Sequence, residues 1–324
     1  MPSQDIADIR AVDPSVRYSR PFLDDLIAAI IVAVLLVPQC LAYALLAGLP
    51  PQMGIYASIL PLVAYAVFGY SRQLSIGPTA VVSIMTAAVV VTFPEAQRPD
   101  IAIILAGMTG IILVALGLIR GGIIINFVPR PVVSAYITGA ALLIIVSQVK
   151  HILGVAGEGR TVVSMVTSLA GIIGDTSSLT LFIGLSMITL LVLSKRYMPR
   201  RFVRTGIKRS TASMLARLVP VMLVICAIII SAGYNLASYG VAIIGDIPSG
   251  LPLPKLPELS IGLVEVLMIP AFVVAIVAFV DSMSISQTLA ATQREESRPN
   301  GELIGLGAAN IAAALGGGYP VNGS

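Results

Sequence analysis

The sequence has 324 residues, of which 57% are hydrophobic and 11% are charged, with a mean hydropathy of +0.96. Soluble domains contain about 25% charged residues, so this composition excludes a soluble globular protein and indicates a chain that crosses a lipid bilayer several times. The net charge of +4 comes largely from one basic segment, which contact with anionic lipid head groups explains better than nucleic-acid binding does. Both cysteines lie in apolar segments and indicate neither a disulfide nor a metal site.

The first apolar stretch, residues 26–71, contains 46 residues without a charge. A hydrocarbon core of ~30 Å takes ~20 residues as a helix, so this stretch predicts two spans. Pro38 and Gln39 interrupt the first of them. Later windows, one of which carries Asp281 as its single charge, bring the prediction to nine membrane segments; they cover residues 73–94, 101–119, 131–149, 176–194, 218–245, 266–293 and 303–324.

The third segment is unusual because Gly77 and Pro78 stand where its helix should begin. The remaining residues, 79–93, are too few to cross a bilayer at ~1.5 Å per residue, which predicts a half-helix. Free backbone N–H groups and the positive dipole end of such a helix form an anion site that needs no basic side chain. Thr79 or Ser75 can add a hydroxyl donor. Alternatively, the Gly-Pro pair only kinks a span.

The distribution of Lys and Arg predicts the orientation, since the side richer in them stays cytoplasmic. With alternating crossings, 16 basic residues fall on the side of the N-terminus and 4 on the other. The predicted loop at residues 195–217 alone holds eight basic residues and no acidic one. We therefore expect a multi-pass protein of an inner or plasma membrane with a cytoplasmic N-terminal segment, residues 1–23, and no cleavable signal peptide.

Residues 32–48 and 273–290 resemble each other and align Gln39 with Asp281. The two copies are separated by seven crossings, and this odd offset makes them inverted in the membrane, an architecture that places substrate sites at the repeat interface. The second half-helix would begin around Asn322, Gly323 and Ser324. Because the second copy stops there, we expect the sequence to be part of a longer transporter.

Two polar side chains in the first segment, Gln39 and Tyr43, are four residues apart and share one helix face. Facing a cavity, the amide and the phenol can bind an anion. Alternatively, Gln39 only bonds to the carbonyl groups that Pro38 frees.

Asp281 is the one acidic residue that the sequence predicts deep within a span. An ionised carboxylate there costs ~3 kcal/mol on insertion scales, so it must be protonated, paired or in contact with water. Ser282 and Ser286 follow it on the same helix. We hypothesise that Asp281 couples anion entry to a proton or a sodium ion, with these hydroxyls as further ligands. The alternative is an aspartate bonded to a neighbouring helix beside hydroxyls that only pack.

Three motifs carry a family resemblance: VPQCLAYALLAGLPPQMGIYASILP (37–61), FGYSRQLSIGPTAVVS (68–83) and PVNGS (320–324). The chain resembles the SulP family of sulfate-permease-like anion transporters, solute carrier family 26. That resemblance implies an all-α membrane domain of fourteen segments in two inverted repeats of seven, similar to the uracil-transporter fold, with half-helices at segments three and ten. It also implies a homodimer and, in many members, a cytoplasmic STAS domain, which we expect to be absent from this sequence.

The resemblance also implies roles for individual residues. Asp281 aligns with an acidic position that many members use for proton or sodium coupling, but those members carry Glu followed by IAIA-like residues where this chain has Asp followed by SMSIS. This departure leaves the coupling ion open. The positions that match the family's anion site are Gln39, Tyr43, Gly77, Pro78, Thr79 and Ser324.

The sequence thus predicts a transport domain, residues 24–324, with a moving core at 24–120 and 261–324 and a gate at 128–245. We expect a secondary active transporter of small anions, with sulfate as the leading substrate, bicarbonate or a dicarboxylate as alternatives, elevator-like movement, and no cofactor besides a coupling ion. A passive anion channel or exchanger is the rival within transport. An intramembrane aspartyl hydrolase is a remote alternative because it needs two facing carboxylates, and otherwise no enzyme activity is expected.

Overall fold

The computed structural model describes residues 22–71, 74–123, 130–155, 157, 162–204, 209–243, 260–293 and 298–323. Within these ranges the chain forms α-helices, short 3₁₀ helices and one pair of short strands. The elements in chain order are α1 (Phe22–Leu46), α2 (Gln52–Phe68), β1 (Ile76–Gly77), α3 (Ala80–Val90), α4 (Arg98–Leu118), α5 (Arg130–Leu153), α6 (Val162–Ile172), α7 (Ser178–Arg204), α8 (Arg209–Gly233), α9 (Ile261–Gln293), α10 (Pro299–Leu315) and β2 (Asn322–Gly323).

The prediction of a helical membrane protein is confirmed. Within the described residues, three helices are both long and apolar enough to cross a bilayer, at Glu95–Leu118, Ser178–Met198 and Ile261–Gln287. Shorter apolar helices accompany them. One of these is α3, whose 11 residues extend only ~16 Å, about half of the hydrocarbon thickness.

Helices α1 and α10 end in the same way. Gly48 has a positive φ of 71°, and the backbone N–H of Leu49 donates to the carbonyl oxygen of Ala44 at 3.0 Å. After α10, Gly317 has a φ of 70°, and the N–H of Gly318 donates to Ala313 at 2.8 Å. This hydrogen bond spans six residues and needs a left-handed backbone conformation, which glycine adopts without steric cost. Both helices therefore stop sharply before the chain turns.

The buried core of the described residues lies in α1 to α4, α9 and α10 and in the segments between them, within residues 40–113 and 267–321. The described side chains of α5 to α8 are half-buried or exposed, as expected of apolar helices that face lipid. Burial thus divides the described helices into two groups, and the predicted bounds of core and gate stay a prediction. The relative motion of the two groups stays a prediction.

Helices α4 and α10 pack closely because glycine lies at their crossing. A Cβ atom on Gly110 would lie 2.7 Å from the carbonyl oxygen of Gly307, and one on Gly307 would lie 2.6 Å from Cγ2 of Val114. Small residues of this kind allow the backbones of two membrane helices to come into contact. This contact holds α10, and the strand that follows it, against the first half of the chain.

Three loops that the sequence predicts on one side of the membrane meet in the structure. The N–H of Gly122 donates to Oδ1 of Asn300 at 2.8 Å, which links the end of α4 to the start of α10. The guanidinium of Arg298 lies 5.0 Å from the ring centre of Tyr70, which follows α2. The described residues that follow α2 and α4 therefore lie close to the start of α10.

The structure differs from the predicted loops in two places. Helix α7 continues to Arg204 and α8 begins at Arg209, so most of the predicted basic loop at 195–217 is helical. Lys and Arg are good helix formers, and a helix can extend past the bilayer into water. Residues 162–172 form the additional helix α6, which no charge-free window of sufficient length predicts.

Candidate functional site

The two segments that the sequence predicts as half-helix starts lie side by side. Strands β1 and β2 pair antiparallel, with Ile76 opposite Gly323 and Gly77 opposite Asn322. These four residues are buried. Close approach at Gly77 is possible because it has no side chain, and the nearest atom to an added Cβ would be Cδ1 of Leu36 at 4.0 Å. Ser324, a predicted anion ligand, lies outside the described residues.

Helix α3 begins directly after β1. Thr79 is its N-cap, with an extended backbone, and the first helical bond runs from the N–H of Ser83 to the Thr79 carbonyl oxygen at 2.9 Å. The helix therefore begins one residue after the predicted start at Thr79, and Pro78 precedes the N-cap. Gly77 pairs with β2, and a residue that precedes proline favours the extended conformation, so the chain becomes helical only after Thr79.

The N-terminal end of α3 has donors that the helix itself does not use. The first N–H groups of a helix have no partner within it, and they carry the positive end of the helix dipole. The Oγ1 atom of Thr79 is buried, makes no cap and has no hydrogen-bond partner. These groups can bind an anion without any basic side chain.

The middle of α1 faces this helix start. The Nε2 of Gln39 donates to the hydroxyl of Tyr43 at 3.2 Å, so the two side chains lie together on one face as their spacing predicts. The Tyr319 hydroxyl lies 3.0 Å from Oγ of Ser83 on α3 and within electrostatic range of Tyr43. Tyr319, which precedes β2, thus connects α3 with the part of α1 that carries Tyr43.

Asp281 lies on α9 and contacts β2. The Nδ2 of Asn322 donates to Oδ2 of Asp281 at 2.6 Å. The neighbouring Ser282 hydroxyl bonds to Oδ1 of Asn322 and accepts the N–H of Gly323 at 2.9 Å. Ser286, one turn further along α9, is buried. The predicted coupling residues therefore lie beside the strand that pairs with β1.

The composition of this region limits what it can hold. No group of three or more His, Cys, Asp or Glu side chains within the described part of the chain can bind a metal ion. Asp281 and the nearby hydroxyl groups are oxygen ligands of the kind that a hard cation such as sodium requires, and the carboxylate is also a proton acceptor. An anion site at α3 and a cation or proton site at α9 stay predictions.

Sequence reasoning missed one buried carboxyl group. Glu302 is only 2% exposed and accepts a hydrogen bond from the hydroxyl of Tyr65, so Asp281 is not the single buried acidic residue. The charge-free window begins at 303, which assigned Glu302 to a loop, whereas α10 begins at Pro299. The two carboxyl groups have different partners, and Glu302 belongs to the contact of α2 with α10.

Two further contacts at the site were not predicted. Tyr319 and Ser83 were not singled out, because a hydrogen bond between residues 236 positions apart leaves no pattern in a single sequence. Asn322 was recognised only as part of the PVNGS motif. Its bond to Asp281 could have been anticipated, because a carboxylate within a membrane span is costly unless a hydrogen-bond donor lies nearby.

Comparison with known proteins agrees with this architecture. Residues 22–324 match the sulfate permease family. The chain is 38% identical over 312 residues to a probable sulfate transporter of Mycobacterium tuberculosis, covering 95% of this chain and 53% of that protein. It is 34% identical over 313 residues to sulfate transporter 4.1, chloroplastic, of Arabidopsis thaliana, covering 95% and 44%.

A solved structure is similar as well. The murine solute carrier 26 family member A9 anion transporter, in its inward-facing state, superposes with a TM-score of 0.82 at 25% identity, over 96% of this chain and 53% of that one. The chain spans about half the length of the curated relatives it matches. Because the family match extends over all but the first 21 residues and the fold agrees, the chain belongs to the sulfate permease family.

Proposed function

We propose that this chain is the anion-binding part of a secondary active transporter of small anions, with sulfate as its first substrate. One observation carries the proposal: β1, which leads into α3 and its unpartnered Thr79 hydroxyl, pairs with β2, which contacts the carboxyl group of Asp281. An anion site and a coupling group next to each other at membrane depth are what symport requires. The similarity to named sulfate transporters supports the choice of substrate.

In this proposal the anion binds at the start of α3. The N–H groups of the first turn and the Thr79 hydroxyl donate to its oxygens, while Gly77 and Pro78 shape the backbone that approaches it. Gln39 and Tyr43 supply donors from α1. Ser324 is the expected counterpart in the second repeat.

Asp281 supplies the coupling step. Protonation of Asp281, or binding of a sodium ion by Asp281 together with Ser282 or Ser286, balances the negative charge of the carboxylate. Entry of an anion then costs less, because the like charge that repels it has been neutralised. Release of the ion on the other side then favours release of the anion, because binding affinities are coupled reciprocally. The contact with Asn322 gives the carboxyl group a fixed position relative to β2.

Alternating access follows from the division of the chain. The helices α1 to α4, α9 and α10 share one buried core, so they can move as a unit against α5 to α8. We propose an elevator-like displacement of the core (residues 24–120 and 261–324) against the gate (128–245), in a homodimer of the inner or plasma membrane with its N-terminus in the cytoplasm.

Uptake into liposomes tests the function. The whole protein that contains this chain is reconstituted, and entry of labelled sulfate, bicarbonate and a dicarboxylate is measured with and without proton and sodium gradients. Gradient-driven uptake that Asp281→Asn abolishes establishes symport and names the ion. Glu265→Gln is the matched control, since it removes an exposed carboxylate from the same helix.

The rival function is a passive anion channel or exchanger. In that case uptake proceeds without a gradient, and Asp281→Asn leaves it unchanged. If the protein takes up bicarbonate or a dicarboxylate faster than sulfate, the proposed mechanism stands and the proposed substrate is wrong.

A further inference from the structure

A second polar region lies away from the site described above. A cavity of about 260 Å³ opens between the C-terminal ends of α1 and α3, the start of α4, and the helices α5 and α6. Its lining includes Arg98 from α4 and Lys150 and His151 from α5. It shares no residue with the anion site. The cavity therefore lies where the two groups of helices face each other.

The cavity is basic. Arg98 uses its Nε to donate to the carbonyl oxygen of Phe93 at 3.4 Å, and the Nζ of Lys150 donates to Gly157 at 3.3 Å. These bonds hold both side chains at the cavity, and the described part of its lining includes no Asp or Glu. Two cations in a partly apolar surrounding attract an anion more strongly than they would in water.

The rest of the lining is apolar. Leu46 from α1, Ile84 and Val91 from α3, and Met165 from α6 form its walls. Pockets for drug-sized ligands have volumes of about 300–1,000 Å³, so a cavity of about 260 Å³ takes a smaller molecule. A bare inorganic anion would leave these walls uncovered, whereas a carboxylate with one ring covers them.

We propose that this cavity is a binding site for a small amphiphilic anion, whose charged head lies between Arg98 and Lys150 and whose apolar body contacts Ile84 and Met165. Its ligand touches α1, α3 and α4 on one side and α5 and α6 on the other. Occupancy therefore bridges the two groups of helices. The site does not depend on the proposed transport function, because binding is measured without transport.

The chain contains no tryptophan, which permits a local reporter. Met165→Trp places the single indole of the chain at the cavity wall, in protein reconstituted into lipid nanodiscs. The probe is 4-bromobenzoate, whose bromine quenches indole fluorescence only at short range. We expect saturable quenching that the neutral 4-bromobenzyl alcohol does not reproduce.

A second reporter and three charge variants distinguish binding in the cavity from partition of the probe into the bilayer. Phe182→Trp puts an indole on α7 at a side chain that is 72% exposed, where quenching measures only partition of the probe into lipid. Lys150→Gln and Arg98→Gln, each combined with Met165→Trp, should weaken binding about tenfold, as expected for loss of one charged contact. Lys195→Gln removes a charge from α7, far along the chain from the cavity, and should leave the affinity unchanged.

The proposal is overturned if Met165→Trp and Phe182→Trp are quenched with the same linear dependence on probe concentration. It is also overturned if quenching saturates but neither Lys150→Gln nor Arg98→Gln weakens it. Because these two residues lie on different helices, one variant still tests the site where the other fails to fold.

An anionic lipid head group offers the same chemistry as a soluble carboxylate. The titration is therefore repeated in nanodiscs with and without phosphatidylglycerol. A higher apparent dissociation constant with that lipid identifies the head group as an occupant of the basic cavity, and an unchanged constant identifies the soluble carboxylate.

Discussion

Asn322 donates a hydrogen bond of 2.6 Å from its Nδ2 to Oδ2 of Asp281, and through its Oδ1 it also contacts the hydroxyl of Ser282. One amide thus holds two consecutive residues of α9 against β2. Since β2 pairs with β1, the position of the Asp281 carboxyl group is tied to the start of α3. In the proposed function, this connection would couple an anion at α3 to an ion at Asp281.

Exchange of the two side chains tests that connection. Asn322→Asp places a second carboxylate within hydrogen-bond reach of Asp281, and like charges at this distance repel strongly. We expect uptake at neutral pH to fall at least about tenfold, an effect of ~1.4 kcal/mol. The double variant Asp281→Asn/Asn322→Asp restores one carboxyl group and one amide, and it should transport better than Asp281→Asn alone. Equal rates for these two variants would contradict the pair as the coupling unit.

Thr79 and Thr86 provide a matched comparison, because the hydroxyl groups of both are buried on α3 and have no hydrogen-bond partner. A buried hydroxyl without a partner costs about 1–3 kcal/mol, so replacement by valine should leave the melting temperature unchanged or raise it. If Thr79 donates to the anion, Thr79→Val should also weaken anion binding about tenfold, whereas Thr86→Val should not. Calorimetric titration with sulfate measures both, and equal affinity in the two variants would exclude a role for Thr79.

The sequence predicts the helical fold because each apolar window is long and the breaks are marked by glycine and proline. Gly48 ends α1 and Gly77 precedes α3, close to the positions expected. The exact start of α3 was missed by one residue, since pairing of Gly77 with a strand 245 residues later determines it. Helix ends that depend on tertiary contacts cannot be derived from local pattern.

The site was predictable only where local spacing or composition marks its residues. Gln39 and Tyr43 follow from helical spacing, and Asp281 from its isolation in an apolar window. Ser83 with Tyr319, and Tyr65 with Glu302, are contacts between distant segments, and no local rule points to them. Glu302 shows the limit most clearly, because an acidic residue at a window's edge was assigned to a loop although it is buried.

The pair of Tyr65 and Glu302 should stabilise the contact of α2 with α10. The Tyr65 hydroxyl and the backbone N–H of Ser71 both bond to the buried carboxyl group. Tyr65→Phe removes one donor and should lower the free energy of unfolding by about 1–3 kcal/mol. A double-mutant cycle with Glu302→Gln isolates the interaction, and Tyr234→Phe, at an exposed tyrosine, is the control. Strictly additive losses would mean that the two side chains contribute independently.

Gly110 and Gly307 should be the positions at which α4 and α10 tolerate no side chain. Leucine at either position meets the facing backbone, since a Cβ on Gly110 would already lie 2.7 Å from the Gly307 carbonyl oxygen. We expect Gly110→Leu and Gly307→Leu to lower the free energy of unfolding by at least about 1–3 kcal/mol, as for overpacked cores.

Gly139→Leu on α5 is the matched control, because nothing lies within 4 Å of an added Cβ there. Thermal unfolding in detergent measures all three, and a Gly110→Leu protein as stable as Gly139→Leu would show that α4 and α10 can separate. Because α10 carries β2, loss of this packing should also weaken anion binding, whereas Gly139→Leu should leave it intact.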